Sequence, residues 1–193
     1  KLAYKFEEYN AILECLNWEK NIVYAKSDID YLNKEIGKIE QEEKFCLQQL
    51  QMINRFRNLF FRLLIGLRKN TLRSEDWIVS LNKQIDQIKV EDIESIKSHR
   101  ARVLYYRVLA FYYFSNSDNL RFYQTNKALV ALMESNQVLL KEDLSEYIST
   151  LSNLSMSSGK LKKYNEVIQC LNKLKKLKPN TFYYELKINR PYH

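Results

Sequence analysis

The chain has 193 residues, of which 46% are hydrophobic, and its formal net charge is +8. That length allows one domain of ordinary size, and the hydrophobic content is typical of a packed globule and too high for a disordered chain. Only three glycines and two prolines occur. Because β-proteins need these residues at their many turns, the composition favours a few long helices.

The start of the chain and its apolar runs lack export and membrane signals. The sequence begins KLAYKFEEYN, without an initiator methionine or the apolar core of a signal peptide, so we expect a fragment or a processed start. The most apolar run, NLFFRLLIGL at 58–67, contains Arg62 and is shorter than the ~20 residues of a membrane span. Cys15, Cys46 and Cys170 show no CxxC spacing. We interpret them as free buried thiols of a cytoplasmic protein.

The positive charge is concentrated in two stretches. Residues 1–50 hold 7 basic and 10 acidic side chains, a net charge of −3, whereas residues 151–193 hold 9 and 2, a net charge of +7. The basic segments are 55–73 and 160–178. Because the basic side chains are concentrated in these two segments, the net charge of the whole chain does not by itself indicate a partner.

The first 70 residues show the pattern of a long helical hairpin. We predict a helix over residues 3–25, whose apolar seam is Phe6, Tyr9, Leu13, Leu16 and Val23. A polar turn with Ser27 or Asp28 as N-cap leads into a second helix, which we expect to break near 54–58. Its heptad positions are Ile29, Leu32, Ile36, Ile39, Cys46, Leu50, Ile53, Phe60, Leu64 and Leu67. Two such helices joined by a tight turn should pack antiparallel.

Shorter helices are predicted for residues 71–193. One begins after Ser74 and runs to about Ile88, with an apolar side of Trp77, Ile78, Leu81, Ile85 and Ile88. The segment HRARVLYYRVLAFYYFSN is apolar almost all round, which is typical of a helix buried between neighbours. Helices over 118–135, 143–157 and 161–177 follow, the last two joined by a Ser-Gly turn. The apolar face of the last helix is Tyr164, Val167, Ile168, Leu171 and Leu174.

Residues 148–179 resemble a tetratricopeptide repeat, a helix-turn-helix unit of about 34 residues. With Pro179 as the closing proline, the matching positions are Leu151, Leu154, Ser155, Tyr164, Leu171 and Leu174. The pattern recurs 45 residues earlier at Tyr106, Leu109, Ala110, Tyr113, Phe122 and Leu129. Over residues 103–179, where it is clearest, this resemblance implies a solenoid of helix pairs. The predicted fold is therefore all-α, a helical hairpin over 1–70 followed by tetratricopeptide-like pairs over 71–193.

The resemblance implies a scaffold that binds a protein or a peptide. The groove of such repeats is lined by first-helix residues offset from the packing positions, here Leu104, Arg107, Phe111, Ser149, Ser152 and Met156. Arg107 lies in an otherwise apolar helix, so it requires a carboxylate from a neighbouring helix or an open groove. In the second case it would receive an acidic or C-terminal carboxylate group of the partner.

Other functions remain open at this point. The basic residues Arg55, Arg57, Arg62, Arg68, Lys69, Lys160, Lys162 and Lys163 are candidates for contacts with nucleic acid or an anionic surface. A solvated outer face and a packed heptad seam explain them more simply, so we do not expect nucleic acid as the partner. A regulatory or sensor module of a larger bacterial protein is a further alternative. Self-association through an uncapped terminal helix is also possible.

Catalysis finds no support in the sequence. His99 is the only internal histidine, since His193 ends the chain, so a His-based metal cluster or acid–base pair is not expected. GxGxxG, P-loop, GxSxG and HExxH motifs are absent. Acidic neighbours such as Glu42 and Glu43 point apart on a helix. We predict that the chain is not an enzyme and has no cofactor.

Overall fold

Helices make up almost all of the described structure, a computed structural model that covers residues 1–25, 29–68, 75–89, 93–177 and 188. They are α1 (Leu2–Lys5), α2 (Tyr9–Ala25), α3 (Ile29–Arg68), α4 (Glu75–Lys89), a 3₁₀ turn (Ile93–Ser95), α5 (His99–Ser115), α6 (Asn119–Ser135), α7 (Gln137–Glu142), α8 (Leu144–Lys160) and α9 (Tyr164–Lys176). No strand occurs within these ranges, which confirms the all-α class there. The predicted caps Ser27, Asp28 and Ser74 lie outside the described residues.

The long helices pack largely in chain order. α2 packs against α3, α3 against α5, α5 against α6, α6 against α8, and α8 against α9. One buried cluster joins α2 to α5 and includes Ile12, Phe56 and Leu63. A second cluster joins α6, α8 and α9 and includes Leu129 and Ile148. Because α5 contributes residues to both clusters, it connects the hairpin with the helices that follow it.

The single helix expected over residues 3–25 is wrong, because the chain turns between α1 and α2. Glu7 adopts the left-handed backbone conformation, with φ of 52°. Its carboxylate accepts hydrogen bonds from the backbone N–H groups of His99 at 2.6 Å and Arg100 at 2.9 Å. It also accepts one from the Ser98 hydroxyl at 2.8 Å. The first N–H groups of α5 lack partners within their own helix, so Glu7 caps α5 from a distant part of the chain.

The break expected near residues 54–58 is also wrong, since α3 runs unbroken from Ile29 to Arg68. The predicted heptad positions Ile39, Cys46 and Ile53 are buried, but beyond them the buried positions are Phe56, Leu59 and Leu63 rather than Phe60 and Leu64. Along its length, α3 packs first against α2 and then against α5. In addition, the positions of a strict seven-residue repeat turn by about 20° per heptad around a straight helix. The buried side therefore rotates away from the seam that begins at Ile29, which itself is 74% exposed.

The Ser-Gly turn predicted at the end of α8 is helical instead. α8 continues through Ser157 and Gly159 to Lys160, and the turn follows at residues 161–163, with Lys162 at φ of 59°. Ser157 and Ser158 of this last turn are fully buried, whereas the position of Gly159 has room for a larger residue. A Cβ added to Gly159 would lie 4.0 Å from the Val167 side chain, which is ordinary contact distance. Ala110 and Ser155, the small positions of the repeat pattern, are buried as predicted.

The predicted apolar face of α9 is only partly buried. α9 buries Cys170 and Leu174, whereas Tyr164 and Ile168 are exposed. α9 packs mainly against α8 and also contacts α6, and these two neighbours cover only one side of it. In the described part of the chain, no helix has the length and apolarity required to cross a bilayer.

The three cysteines should differ in their reactivity. Burial raises the pKa of the Cys46 thiol and raises that of Cys170 to about 11, whereas Cys15 is exposed on α2, against the expectation that all three are buried. Because the thiolate is the reactive species, iodoacetamide should modify only Cys15 in dilute native protein and all three in denaturant. Peptide mass spectrometry measures this, and rapid native modification of Cys170 would contradict the packing of α9 on α8.

Loss of the Glu7 cap should destabilise the whole fold. Glu7→Ala removes the acceptor of three hydrogen bonds at the start of α5, so the free energy of unfolding should fall by about 1–3 kcal/mol. Chemical denaturation followed by circular dichroism measures it. Glu14→Ala, at an exposed position of α2, is the control and should change stability by less than about 0.5 kcal/mol. Equal stability of the two variants would show that the cap contributes nothing.

Candidate functional site

A cleft of about 320 Å³ lies between α3, α5, α6 and α8. Its lining residues are Phe60, Arg107, Ala110, Phe111, Phe114, Phe122, Asn126, Leu129, Glu146, Ser149, Thr150, Asn153 and Met156. Phe114 and Met156 are 42% and 43% exposed, so the cleft opens to solvent. Ligand sites are typically concave and apolar with a few polar groups, and this cleft has that composition.

Aromatic rings from three helices form the apolar walls of the cleft. Phe60 of α3 and Phe111 of α5 meet edge to face, with ring centroids 5.7 Å apart. Phe114 of α5 and Phe122 of α6 have centroids 5.4 Å apart in a tilted arrangement. Phe111 and Phe114 are three residues apart on α5 and hence share one side of that helix. The edge-to-face contact orients the Phe60 and Phe111 rings relative to each other in this wall.

Arg107 joins two neighbouring helices to α5 inside the cleft. Its Nε lies 2.7 Å from Glu146 Oε1 on α8, and its Cζ lies 4.4 Å from the centroid of the Phe60 ring on α3. The two charged side chains are about a quarter exposed, at 26% and 24%. Of the two environments expected for Arg107, the structure shows the ion pair with a neighbouring helix. A partner's carboxylate would share the guanidinium with Glu146.

The structure brings four of the six predicted groove residues together. Arg107, Phe111, Ser149 and Met156 line the cleft, whereas Leu104 and Ser152 do not. Leu104 packs against the cluster shared by α2, α3 and α5. The Ser152 hydroxyl donates a hydrogen bond at 2.9 Å to the Ile148 carbonyl of its own helix.

The sequence analysis missed several residues of the cleft, including Phe60, Phe114, Phe122 and Glu146. Phe114 could have been found, because it lies one helical turn after Phe111 on the same side of α5. Phe60 was assigned to the heptad seam of the hairpin, and no signal in the sequence links it to residues almost fifty positions later.

The basic candidates within the described residues are distributed over α3, the end of α8 and the turn before α9. Arg55, Arg57 and Arg62 are exposed on α3, and the Arg62 guanidinium donates to the Gln84 side chain at 3.1 Å. The side chain of Arg68 and all of Lys69 lie outside the described residues. α3 packs against α2 and α5, whereas α9, with the second basic segment, packs against α8. The first basic segment thus lies on α3, whereas the second begins at Lys160, the last residue of α8, and continues through α9.

The lysines around the start of α9 contact neighbouring side chains or solvent. The Lys163 Nζ lies 4.4 Å from the centroid of the Tyr123 ring, and the Lys160 Nζ lies 3.3 Å from the Asn119 amide oxygen. Lys162, in the turn, is exposed. Lys160 thus contacts α6 from the end of α8, and Lys163 contacts α6 from the turn before α9.

A second cleft, of about 400 Å³, lies where α6 meets α8 and α9, and its charged groups pair with one another. Glu166 accepts hydrogen bonds from the Tyr123 hydroxyl at 2.7 Å and from Lys127 at 3.1 Å. The Tyr123 hydrogen bond is the main cause that lowers the pKa of the Glu166 carboxyl. Glu134 accepts hydrogen bonds from Tyr147 and Lys173, each at 2.6 Å. These pairs fasten α9 to α6, so we assign this cleft a structural role.

Neither metal chemistry nor similarity to a known protein identifies the site. Within the described ranges, no group of three or more His, Cys, Asp and Glu side chains is placed to hold a metal ion. No known protein family, curated protein or solved structure shows significant similarity to this chain.

Proposed function

We propose that the chain binds a protein or peptide partner in the cleft between α3, α5, α6 and α8. The observation that supports this most directly is the solvent-open, phenylalanine-walled cavity. Exposed apolar surface of this kind is costly to keep in contact with water, and a partner that covers it recovers that free energy. A volume of about 320 Å³ accommodates one or two anchoring side chains rather than a whole folded element.

The lining specifies the kind of anchor. Phe60, Phe111, Phe114 and Phe122 present ring faces and edges, which suit an aromatic, leucine or methionine side chain of the partner. Asn153 is exposed on α8 within the same lining, and its amide can both donate to and accept from a peptide backbone. The cleft therefore offers apolar affinity together with a polar group that fixes orientation.

The ion pair in the cleft can add selectivity. A guanidinium has five N–H groups, so Arg107 can bind a carboxylate of the partner while it keeps its contact with Glu146. The proposed ligand is accordingly a segment that places an acidic group, or a chain terminus, next to a large apolar side chain. The hypothesis that Arg107 binds a carboxylate of the partner is therefore compatible with its ion pair to Glu146.

The architecture and the cellular setting belong to the same proposal. The packing of α5 with α6 and of α8 with α9 supports tetratricopeptide-like helix pairs over 71–193, after a hairpin over 1–70. Such repeats work as binding scaffolds without catalysis or a cofactor. A binding module of a cytoplasmic protein, in a regulatory or sensor role, fits this picture.

A peptide library tests the cleft directly. Phage-displayed random peptides panned against the purified chain should yield sequences with a shared apolar anchor. Phe114→Ala and Met156→Ala, at the exposed rim, should each weaken a selected peptide by about 1–2 kcal/mol, or roughly 5–30-fold. Leu47→Ala removes a somewhat more exposed apolar side chain from α3 outside the cleft, and should leave the affinity unchanged.

The same assay distinguishes the alternative that depends on basic residues. A fluorescein-labelled single-stranded oligonucleotide is the comparison probe, with binding measured from about 50 to 200 mM salt. The proposal expects peptide affinity that changes little over this range. Salt-sensitive oligonucleotide binding that Arg55→Ala, Arg57→Ala and Arg62→Ala abolish, with no peptide enriched, would contradict it in favour of a nucleic-acid binder.

A further inference from the structure

α2 has apolar residues on two sides, but only one side is covered. Its buried side, formed by Tyr9, Ile12, Leu16 and Val23, faces the hairpin core. The α2 stripe, at alternating spacings of four and three residues, is Ala11, Cys15, Trp18, Ile22 and Ala25, and all five are exposed. Trp18 and Ile22 are 70% and 58% exposed. A helix that is apolar on opposite sides is typical of one packed between two neighbours.

α9, at the other end of the packing order, shows a matching feature. Tyr164 and Ile168 are 64% and 56% exposed, and partly buried Leu171 extends the line. These residues, the α9 stripe, lie one helical turn apart. The other side of α9 is occupied, because Cys170 and Leu174 are buried in the cluster shared with α6 and α8.

The charges beside the two stripes have opposite signs. Exposed Glu14 and Glu19 are neighbours of Cys15 and Trp18 on α2, and Lys20, the cation of that helix, pairs with Glu43 at 2.6 Å. Beside the α9 stripe the charges are basic. They are Lys162 before the helix and Lys175 and Lys176 in its last turn. Lys163 instead stacks on Tyr123, and Glu166 pairs with Lys127, both toward α6.

We propose that a second copy of this chain covers these surfaces, with the α9 stripe of one copy on the α2 stripe of the next. Symmetric pairing of two α2 stripes would bring carboxylates together, and symmetric pairing of two α9 stripes would bring lysines together. Only the pairing of α2 with α9 joins apolar surfaces with opposite charges beside them. Because the stripes lie on the first and last of the packed long helices, the contact joins different surfaces of two copies, so it is head-to-tail and can extend to further copies.

This inference does not depend on the proposed function, since the cleft includes no residue of either stripe. The buried area is that of one helix pressed on another, which is small for a stable interface, so the association should be weak and concentration-dependent. Opposite charges at its edge should make it weaker as salt is raised.

Two variants of the full chain separate head-to-tail from symmetric association. Trp18→Gln with Ile22→Gln disables the α2 stripe, and Tyr164→Gln with Ile168→Gln disables the α9 stripe. All four positions are exposed, so circular dichroism should show folded proteins. In sedimentation velocity the unmodified chain should form species larger than dimers as its concentration rises. Each double variant alone should remain monomeric, and their equimolar mixture should form a heterodimer.

Cys15 reports on the surface itself, because it belongs to the α2 stripe. Its alkylation rate should fall severalfold in concentrated unmodified chain and return to the dilute value in the Tyr164→Gln, Ile168→Gln variant. A chain that stays monomeric through the whole concentration series overturns the proposal. So does dimerisation of either double variant alone, which would indicate a symmetric contact through its intact stripe.

Discussion

Arg107 carries a positive charge into a helix that is apolar almost all round, and the arrangement of three helices depends on how that charge is accommodated. A cation left unpaired at such a position, about a quarter exposed, would destabilise the packing around it. Here the guanidinium stacks on Phe60 of α3 and pairs with Glu146 of α8, so both helices must lie against the same stretch of α5. The cleft is the space that remains between them, and its phenylalanine walls follow from the same placement.

Glu7 has a comparable role at the start of α5. It supplies a carboxylate to N–H groups that α5 cannot satisfy itself, and Ser98 next to it is fully buried. The Ser98 hydroxyl accepts from the Ala101 N–H while its own N–H donates to Gln49 of α3. The start of α5 is thus fixed to the hairpin by charge and hydrogen bonds, and its middle by the Arg107 contacts. α5 thereby joins the two buried clusters into one structure.

The elements that the sequence predicted well are those decided by nearby residues. α6 begins after Asp118, whose side chain accepts from the Arg121 N–H, and such a cap is recognisable in a single sequence. The features that it missed are decided at long range. The turn at Glu7 depends on α5, about ninety residues later, and the rotated seam of α3 depends on its exchange of α2 for α5. Likewise, Arg107 and Phe111 could be predicted as groove residues from their spacing along one helix. Phe60 and Glu146 could not, because they lie on other helices that only folding brings to the cleft.

A double-mutant cycle on Arg107 and Glu146 tests most directly whether this ion pair holds α5 and α8 together. Arg107→Met and Glu146→Gln each remove one charge at nearly constant volume, and chemical denaturation gives the unfolding free energy of each single variant, the double variant and the unmodified chain. The account predicts that the double variant loses about as much as either single variant, with a coupling energy of about 1–2 kcal/mol. Losses that simply add, with no coupling, would contradict it.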